Sequence, residues 1–307
     1  MSQFFVGLWV GCVLAPPASL CSSPTMNTTE AARRAYWTEQ MDAATAFMSA
    51  VEEFPVDDCG EPVVPLVEAV RAAGVDVRFA NRAHVRGLPR LFWLREGLLD
   101  SFLACAHDLN ARGWAISVED GFRTVEMQKY LARQPYTFDV IVKRVIWECG
   151  GGTPSLDLVT RRVSALIASS PKVGTHMSGS ALDISVHHID DGSEVDRGGP
   201  YLELSELTPM SSPFVSDAAR ANRATITEVM ARHRFVAYPY EFWHYNQGDA
   251  YDHFLSGNRS AARYGAVDVD PASGRVRAIS DPRQPLNAPE EIEAEIWRVM
   301  SRVGATD

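Results

Sequence analysis

The chain has 307 residues, of which 46% are hydrophobic and 22% charged, so disorder is excluded as its dominant state. Its 29 basic and 39 acidic residues give a net charge of −10, which argues against nucleic-acid partners because these require a basic face. The acidic balance also argues against stable membrane association through anionic lipid. The five cysteines are widely spaced and lack a C-x-x-C pair, which predicts free thiols rather than a disulfide framework.

The first 25 residues contain an apolar run from Phe4 to Val13, followed by Pro16 and Pro17. The run has the length of a signal-peptide core and is too short to span a bilayer, but no lysine or arginine precedes it. Three interpretations stay open: a signal peptide, a mis-assigned start with translation from Met26, or a disordered tail. The first predicts a periplasmic or exported protein, and the second a cytoplasmic one.

Beyond this segment, apolar residues recur at alternating and helical spacings, which indicate short strands and amphipathic helices. A stretch over 189–213 is rich in glycine, proline, aspartate and serine and is predicted to be loop. The mixture predicts an α+β fold in which helices cover a small sheet. The predicted helices are 30–53, 64–73, 98–109, 124–133, 156–169 and 216–233, and the predicted strands are 75–79, 114–118, 180–186, 235–238 and 242–245.

The composition shifts after about residue 257, where turn residues over 268–274 precede a last helix. This helix is predicted to start at Asn287, with Pro289 in its first turn and Glu290 placed for a capping box. Its apolar stripe is predicted to face the core or a partner: Ile292, Ile296, Val299 and Val303.

An acidic residue in the middle of an apolar strand is the first sign of chemistry. Asp183 lies between Leu182 and Ile184, where a carboxylate is costly unless it is paired or bound to a metal. His176 precedes it in a glycine-rich approach, and small residues such as Ser185 on its own face leave room for a ligand.

The second sign is the aromatic segment from Tyr240 to Tyr245, which contains Glu241 and His244. Aromatic side chains exclude water and strengthen the electrostatic interactions beside them. In a regular strand these two side chains would face opposite ways, so they converge only if the chain kinks, which Pro239 permits.

Together, His176, Asp183 and His244 form a set of two imidazoles and one carboxylate, as in catalytic zinc sites that keep a fourth position open. Glu241 is then the candidate general base, which takes a proton from water and passes it to the leaving amine. Arg123 follows the strand at 114–118 and is a candidate for binding a carboxylate or an oxyanion. The spacing also permits a structural alternative, in which Asp183 is an internal acceptor, Glu241 pairs with an arginine and Arg123 forms a surface ion pair.

These patterns, in this order, resemble the LAS family of zinc peptidases, which cleave D-alanyl-D-alanine bonds, and in particular its dipeptidase branch. The resemblance spans about 75–256, and the long connection between Asp183 and Glu241 favours the dipeptidases over the related D,D-carboxypeptidases. It is carried by Asp120-Gly-Phe-Arg123, by His176 with Gly179-Ser-Ala-Leu-Asp183, and by Ala237-Tyr-Pro-Tyr-Glu241-Phe-Trp-His244-Tyr.

The resemblance implies a small, mainly antiparallel sheet flanked by helices, and a small D,D-peptide substrate from peptidoglycan precursor turnover in the cell wall. It implies one Zn²⁺ per chain on His176, Asp183 and His244, with Glu241 as catalytic base and Arg123 acting on the tetrahedral intermediate. The candidate substrate contacts are Thr175, Glu203 and Trp243. The predicted organisation is a signal-like or disordered segment over 1–25, a helical extension over 26–74, a zinc D,D-peptidase domain over 75–256, and a C-terminal extension over 257–307.

The chain departs from the family pattern at two positions that concern the substrate's amino terminus. Gly174 replaces a serine, and Leu202 takes the position of the aspartate that holds the free amino group. Glu203 is the candidate replacement, and the hypothesis is that the requirement for a free dipeptide is relaxed or altered. The alternatives are a D,D-carboxypeptidase acting on longer stem peptides, a non-catalytic zinc-binding protein of the same fold, and a purely structural domain. The sequence yields no prediction of oligomeric state.

Overall fold

A computed structural model describes residues 29–82, 85–270 and 273–303, so the signal-like segment over 1–25 lies outside the described residues. Within the described ranges, no helix combines the length and the apolar character needed to cross a membrane. Three cysteines there are free thiols, as predicted: Cys59, Cys105 and Cys149.

Helices and short strands alternate along the described chain. The helices are α1 Glu30–Glu53, α2 Leu66–Ala73, α3 Leu99–Asn110, α4 Val125–Leu131, α5 Pro135–Glu148, α6 Leu156–Leu166, α7 Asp217–Arg232, α8 Ala250–Leu255 and α9 Pro289–Val303. The strands are β1 Val63–Pro65, β2 Val77–Phe79, β3 Trp93–Arg95, β4 Trp114–Asp120, β5 Ala181–His188, β6 Val236–Ala237, β7 His244–Asn246, β8 Val267–Val269 and β9 Val276–Ala278.

The central sheet has five strands in the order β2-β4-β5-β7-β6. Only the β2–β4 pair is parallel among its four pairings, which confirms the predicted α+β fold with a mainly antiparallel sheet. The register sets Asp183 on β5 opposite Asp120 on β4 and opposite His244 on β7. Acidic and imidazole side chains from three adjacent strands therefore meet at one point of the sheet.

The two faces of β5 have different environments because its side chains alternate. Leu182 and Ile184 pack into the main core together with Phe102 of α3 and Ile226 of α7. Asp183 belongs to the opposite face, and across a cavity from it stands a helical layer built by α5, α6 and α9 around a second core.

Buried ion pairs tie this helical layer to α1. The Glu148 carboxylate of α5 accepts a hydrogen bond from Arg162 of α6, with Arg162 Nε 3.0 Å from Oε2. It also accepts one from the indole Nε1 of Trp37 on α1 at 3.2 Å. Arg144 of α5 stacks on Trp37 and also pairs with Glu206. The N-terminal extension is thus an integral part of the wall that faces the sheet.

Most elements agree with the patterns in the sequence, and the helix over 30–53 is confirmed without a shift. No element was predicted over 135–148, where α5 forms. Its apolar residues are largely β-branched or aromatic, which favour helix weakly, so burial against α6 and α9 decides its conformation.

The last helix starts later than predicted, and the predicted capping box at Asn287 and Glu290 is wrong. The carboxylate of Glu291, not that of Glu290, accepts the backbone N–H of Ala288 at 3.2 Å, while the Asn287 side chain accepts from Arg133. The amide side chain is drawn away from the helix by a tertiary partner that the local sequence does not reveal. The predicted stripe does face the core, with Ile296 and Val299 fully buried.

Candidate active site

The structure brings together the three residues predicted as metal ligands. His176, Asp183 and His244 are buried, and their ligand atoms lie within 4.8 Å of one another. Asp183 Oδ1 is 3.2 Å from His176 Nε2 and 2.8 Å from His244 Nδ1. One carboxylate oxygen therefore faces a nitrogen of each ring.

Short local structures place these side chains. His176 belongs to a 3-10 turn over Thr175–Ser178 that leads into β5, while His244 is the first residue of β7. Gly179 ends the turn with φ +70°, and a Cβ there would lie 2.7 Å from Val63 Cγ1. Glycine is required because both the left-handed conformation and the close approach of Val63 exclude a side chain.

Each imidazole is oriented by a hydrogen bond from its outward nitrogen. His176 Nδ1 lies 2.7 Å from the carbonyl oxygen of Gly121, to which it donates. His244 Nε2 lies 2.8 Å from Asn246 Oδ1 and 3.0 Å from Thr175 Oγ1. These partners direct the lone pairs of His176 Nε2 and His244 Nδ1 toward Asp183, the arrangement found for metal-ligating histidines.

The donor set fits a bound cation. Two imidazole lone pairs and a carboxylate oxygen converge in a buried place, where they repel one another unless positive charge lies between them. These three residues therefore have the chemistry of a metal site.

Glu241 reaches the same cavity because the chain turns between β6 and β7. The Glu241 N–H donates to Tyr238 O at 3.4 Å, and the His244 N–H donates to Glu241 O at 3.2 Å. The segment is not a continuous strand, so the alternation that would separate Glu241 from His244 does not apply. Burial raises the pKa of Glu241 to about 7, a value suited to proton transfer near neutrality.

Arg123 is a fixed cation beside the triad and not a surface arginine, since its side chain is 12% exposed. Its Nε and Nη2 each lie 2.9 Å from Asp120 Oδ2, and its Nη1 donates to Gln128 at 3.3 Å. The Nη2 atom is also 3.6 Å from Asp183 Oδ2. This network holds the guanidinium at the edge of the cavity, where it can meet developing negative charge.

The three predicted substrate contacts all line this cavity, whose volume is about 660 Å³. The Thr175 hydroxyl forms a hydrogen bond with the His244 ring, so Thr175 helps to orient that ring. Trp243 packs edge-to-face on Tyr201, with ring centroids 5.7 Å apart. Glu203 lies in the loop directly after Leu202, and its role in substrate binding stays a prediction.

Two residues of the site were missed in the sequence. The Tyr201 hydroxyl donates to Asp183 Oδ2 at 2.9 Å, although Tyr201 lies in a long loop with no periodic pattern to predict its direction. Asn246 contacts the His244 ring, and here a signal existed, because residues two apart in a strand share a face.

A buried set of two histidines and a carboxylate, beside a glutamate of near-neutral pKa and a fixed arginine, defines a metal-dependent hydrolase site. Comparison with known proteins agrees with this class. Residues 153–264 match the model of the peptidase M15 family, described as D-Ala-D-Ala dipeptidase, and this range includes the three ligand candidates and Glu241.

The chain is also similar to curated D-alanyl-D-alanine dipeptidases. It is 27% identical over 243 residues to that of Synechocystis sp., covering 70% of this chain and 95% of the relative. It is 27% identical over 190 residues to that of Enterococcus faecium, covering 59% and 88%, and 25% identical over 138 residues to that of Enterococcus faecalis, covering 44% and 63%. These similarities confirm the predicted resemblance and indicate that the chain is a metallopeptidase.

Proposed function

We propose that the protein is a zinc-dependent dipeptidase that hydrolyses D-alanyl-D-alanine or a related D,D-dipeptide in peptidoglycan precursor turnover. The observation that carries the proposal is the convergence of His176, Asp183 and His244 with Glu241 and Arg123 on one cavity. The names of the similar proteins support the substrate class.

The metal is proposed to be held by His176 Nε2, Asp183 Oδ1 and His244 Nδ1, which are typical zinc donors. A zinc ion there supplies positive charge that polarises the scissile carbonyl and lowers the pKa of water. The chain fixes the donors in advance: Gly121 and Asn246 hold the rings by their outer nitrogens.

Glu241 moves the proton in this proposal. Its carboxylate lies in the same cavity as the triad, and its raised pKa matches the proton affinity that a base needs near pH 7. The carboxylate takes a proton from the attacking water and delivers it to the amine that leaves. The same oxygen pair therefore acts first as a base and then as an acid.

Arg123 stabilises the negative charge that develops on the carbonyl oxygen during attack. Asp120 and Gln128 fix the guanidinium before substrate arrives, so little reorganisation accompanies the reaction. Tyr201 contacts Asp183 and packs edge-to-face on Trp243, so aromatic surface beside the site limits the access of bulk water.

A second candidate function is D,D-carboxypeptidase activity on longer peptides. It is favoured by Leu202, which exposes an apolar side chain at the cavity instead of an acid that would bind a free amino group. A non-catalytic zinc-binding role is disfavoured by Glu241, because a purely binding protein does not need a buried base beside the metal.

The test compares the full chain with its Glu241→Gln variant on free D-Ala-D-Ala and on N-acetyl-D-Ala-D-Ala. We expect chelation to abolish hydrolysis and added zinc to restore it. Loss of the base is expected to lower kcat about 10³-fold while zinc content stays at one per chain. Glu290→Gln, on the exposed start of α9, is the matched control and should keep full activity.

Turnover retained in Glu241→Gln would remove Glu241 from its proposed role. Activity that survives complete metal removal would contradict zinc dependence. Cleavage of the acetylated peptide alone would favour the carboxypeptidase function, and cleavage of the free dipeptide alone would favour the dipeptidase.

A further inference from the structure

The cavity is also lined by the helical layer that faces the sheet. We call its apolar lining from α5, α6 and the loop after Tyr201 the apolar lobe. The lobe is lined by Tyr136, Val140, Leu166, Ile167, Leu202 and Leu204. At about 660 Å³ the whole cavity has the size of sites for ligands larger than a free dipeptide.

Two apolar side chains of the lobe are held in solvent. Tyr136 is 77% exposed and Leu202 is 62% exposed, the largest values among the exposed large hydrophobic residues of the described chain. Leu202 also has φ +66°, a left-handed conformation that costs a non-glycine residue about 1 kcal/mol. Exposure and strain at one position are typical of ligand contacts, because such features persist where binding requires them.

The charges along the cavity indicate which part of a peptide the lobe accepts. Its cationic side chains are Arg82 and Arg123, and Arg123 lies at the metal triad. Glu203 follows Leu202 in the same lining, and its negative charge does not favour a carboxylate there. The terminal carboxylate of a D,D-peptide is therefore disfavoured in the lobe, which leaves the amino side of the scissile bond to face it.

We infer that the apolar lobe is a subsite for an apolar group on the amino side of the scissile D,D-peptide bond, with Leu202 and Tyr136 as its specificity-determining residues. The substrates are then N-acylated D,D-dipeptides, or longer peptides with an apolar residue before the D,D pair. This inference rests on the proposed metallopeptidase site and develops its second candidate function, D,D-carboxypeptidase activity on longer peptides.

The first test measures binding without catalysis. Calorimetry on the full chain, with zinc and after chelation, compares N-octanoyl-D-alanine with N-acetyl-D-alanine. We expect the octanoyl compound to bind at least tenfold more tightly, because burial of each methylene is favourable. Leu202→Asp should abolish this preference, and Leu202→Met should keep it.

The matched control is Ile189→Asp, which changes another exposed apolar residue away from the cavity and should leave the preference unchanged. Equal affinity of the two compounds for the unmodified chain would overturn the inference. A preference that Leu202→Asp leaves intact, in a variant with unchanged Tm, would also overturn it.

The second test measures kcat/KM for N-acetyl- and N-octanoyl-D-Ala-D-Ala. A gain of at least tenfold with the longer acyl group supports the subsite. Cleavage of both peptides at equal efficiency would overturn the subsite and leave the proposed metallopeptidase site, with its carboxypeptidase activity, in place. Chain-length-dependent binding without cleavage of any D,D-peptide would overturn the proposed function, and with it the assignment of the lobe to a substrate.

Discussion

The cavity lies between the central sheet and the helical layer, which form its sheet wall and its helical wall. On the sheet wall, neighbouring strands direct polar side chains to one point. On the helical wall, apolar side chains line the cavity and the buried ion pairs lie outside it. The Asp183 carboxylate, for example, contacts four side chains within 3.6 Å: His176, His244, Tyr201 and Arg123. On the helical wall, the buried ion pair between Glu148 and Arg162 does not line the cavity.

This difference separates two tasks. The sheet wall fixes the positions of the candidate catalytic groups to within hydrogen-bond geometry, because each side chain there has several partners. The helical wall sets the shape and polarity of the space beside them, and its ion pairs serve to hold α1, α5 and α6 together. Variants on one wall should therefore leave the property of the other nearly unchanged.

The largest expected effect is on the helical wall. Glu148→Gln removes the buried one of the two carboxylates that pair with Arg162 and leaves only the exposed Asp42, so the free energy of unfolding should fall by about 2 kcal/mol. Metal affinity should stay within twofold of the original. Urea denaturation and a competing chelating dye measure the two quantities.

The matched control for this variant is Asp157→Asn, which breaks the exposed pair with Arg161. Asp157→Asn should lower the free energy of unfolding by about 0.5 kcal/mol or less, because solvent screens such exposed pairs. If Glu148→Gln and Asp157→Asn were equally destabilising, the buried pair would not be what holds the helical wall.

The next effect lies on the sheet wall. Tyr201→Phe removes the hydroxyl that donates to Asp183 Oδ2, and metal affinity should fall about tenfold, as is usual for partners of metal ligands. The free energy of unfolding of the metal-free protein should change by less than about 1 kcal/mol. Tyr136→Phe removes a phenol hydroxyl from the helical wall of the cavity and should not change metal affinity. Equal metal affinity in Tyr201→Phe and the unmodified chain would contradict the role of this hydrogen bond.

A third effect concerns pH and a buried acid behind the sheet wall. Asp249 accepts from Ser180 Oγ at 2.7 Å and caps α8, and burial raises its pKa to about 6. Because the folded pKa exceeds the unfolded value of about 3.9, this group stabilises the fold below pH 4 and loses that contribution as pH rises through 6. Relative to Asp249→Asn, the metal-free original chain should therefore lose stability between about pH 4 and pH 6.

Denaturation at a series of pH values measures this difference between the two proteins. Asp157→Asn, an exposed substitution of the same kind, should show no such trend against the original chain. Parallel stability curves for Asp249→Asn and the original would show that Asp249 titrates normally in the fold.

Several parts of the site could be predicted from the sequence because their signals are local. Asp183 interrupts an apolar strand, and a carboxylate in that position needs a partner wherever the strand is placed. Glu241 and His244 stand out by chemistry, but the alternation rule placed them on opposite faces until the structure showed a turn between β6 and β7. The rule failed because it holds only for continuous strands.

Other parts had no local signal. Tyr201 reaches Asp183 from an irregular loop, whose path depends on contacts with distant elements. Helix α5 is made of residues that favour helix weakly, and it forms where α6 and α9 bury its apolar face. The capping of α9 shifted for a similar reason, since Arg133 engages the side chain of Asn287.

The sequence by itself determined the candidate metal donors, the candidate base, the α+β class and most elements, because composition, periodicity and residue chemistry act over short distances along the chain. Only the tertiary structure decided that Asp183 meets His176 and His244 within 3.2 Å, that Tyr201 and Asn246 support them, and that α5 and Leu202 create an apolar lobe. The physical reason is that strand register, loop paths and the packing of helix on helix depend on contacts between residues far apart in the chain.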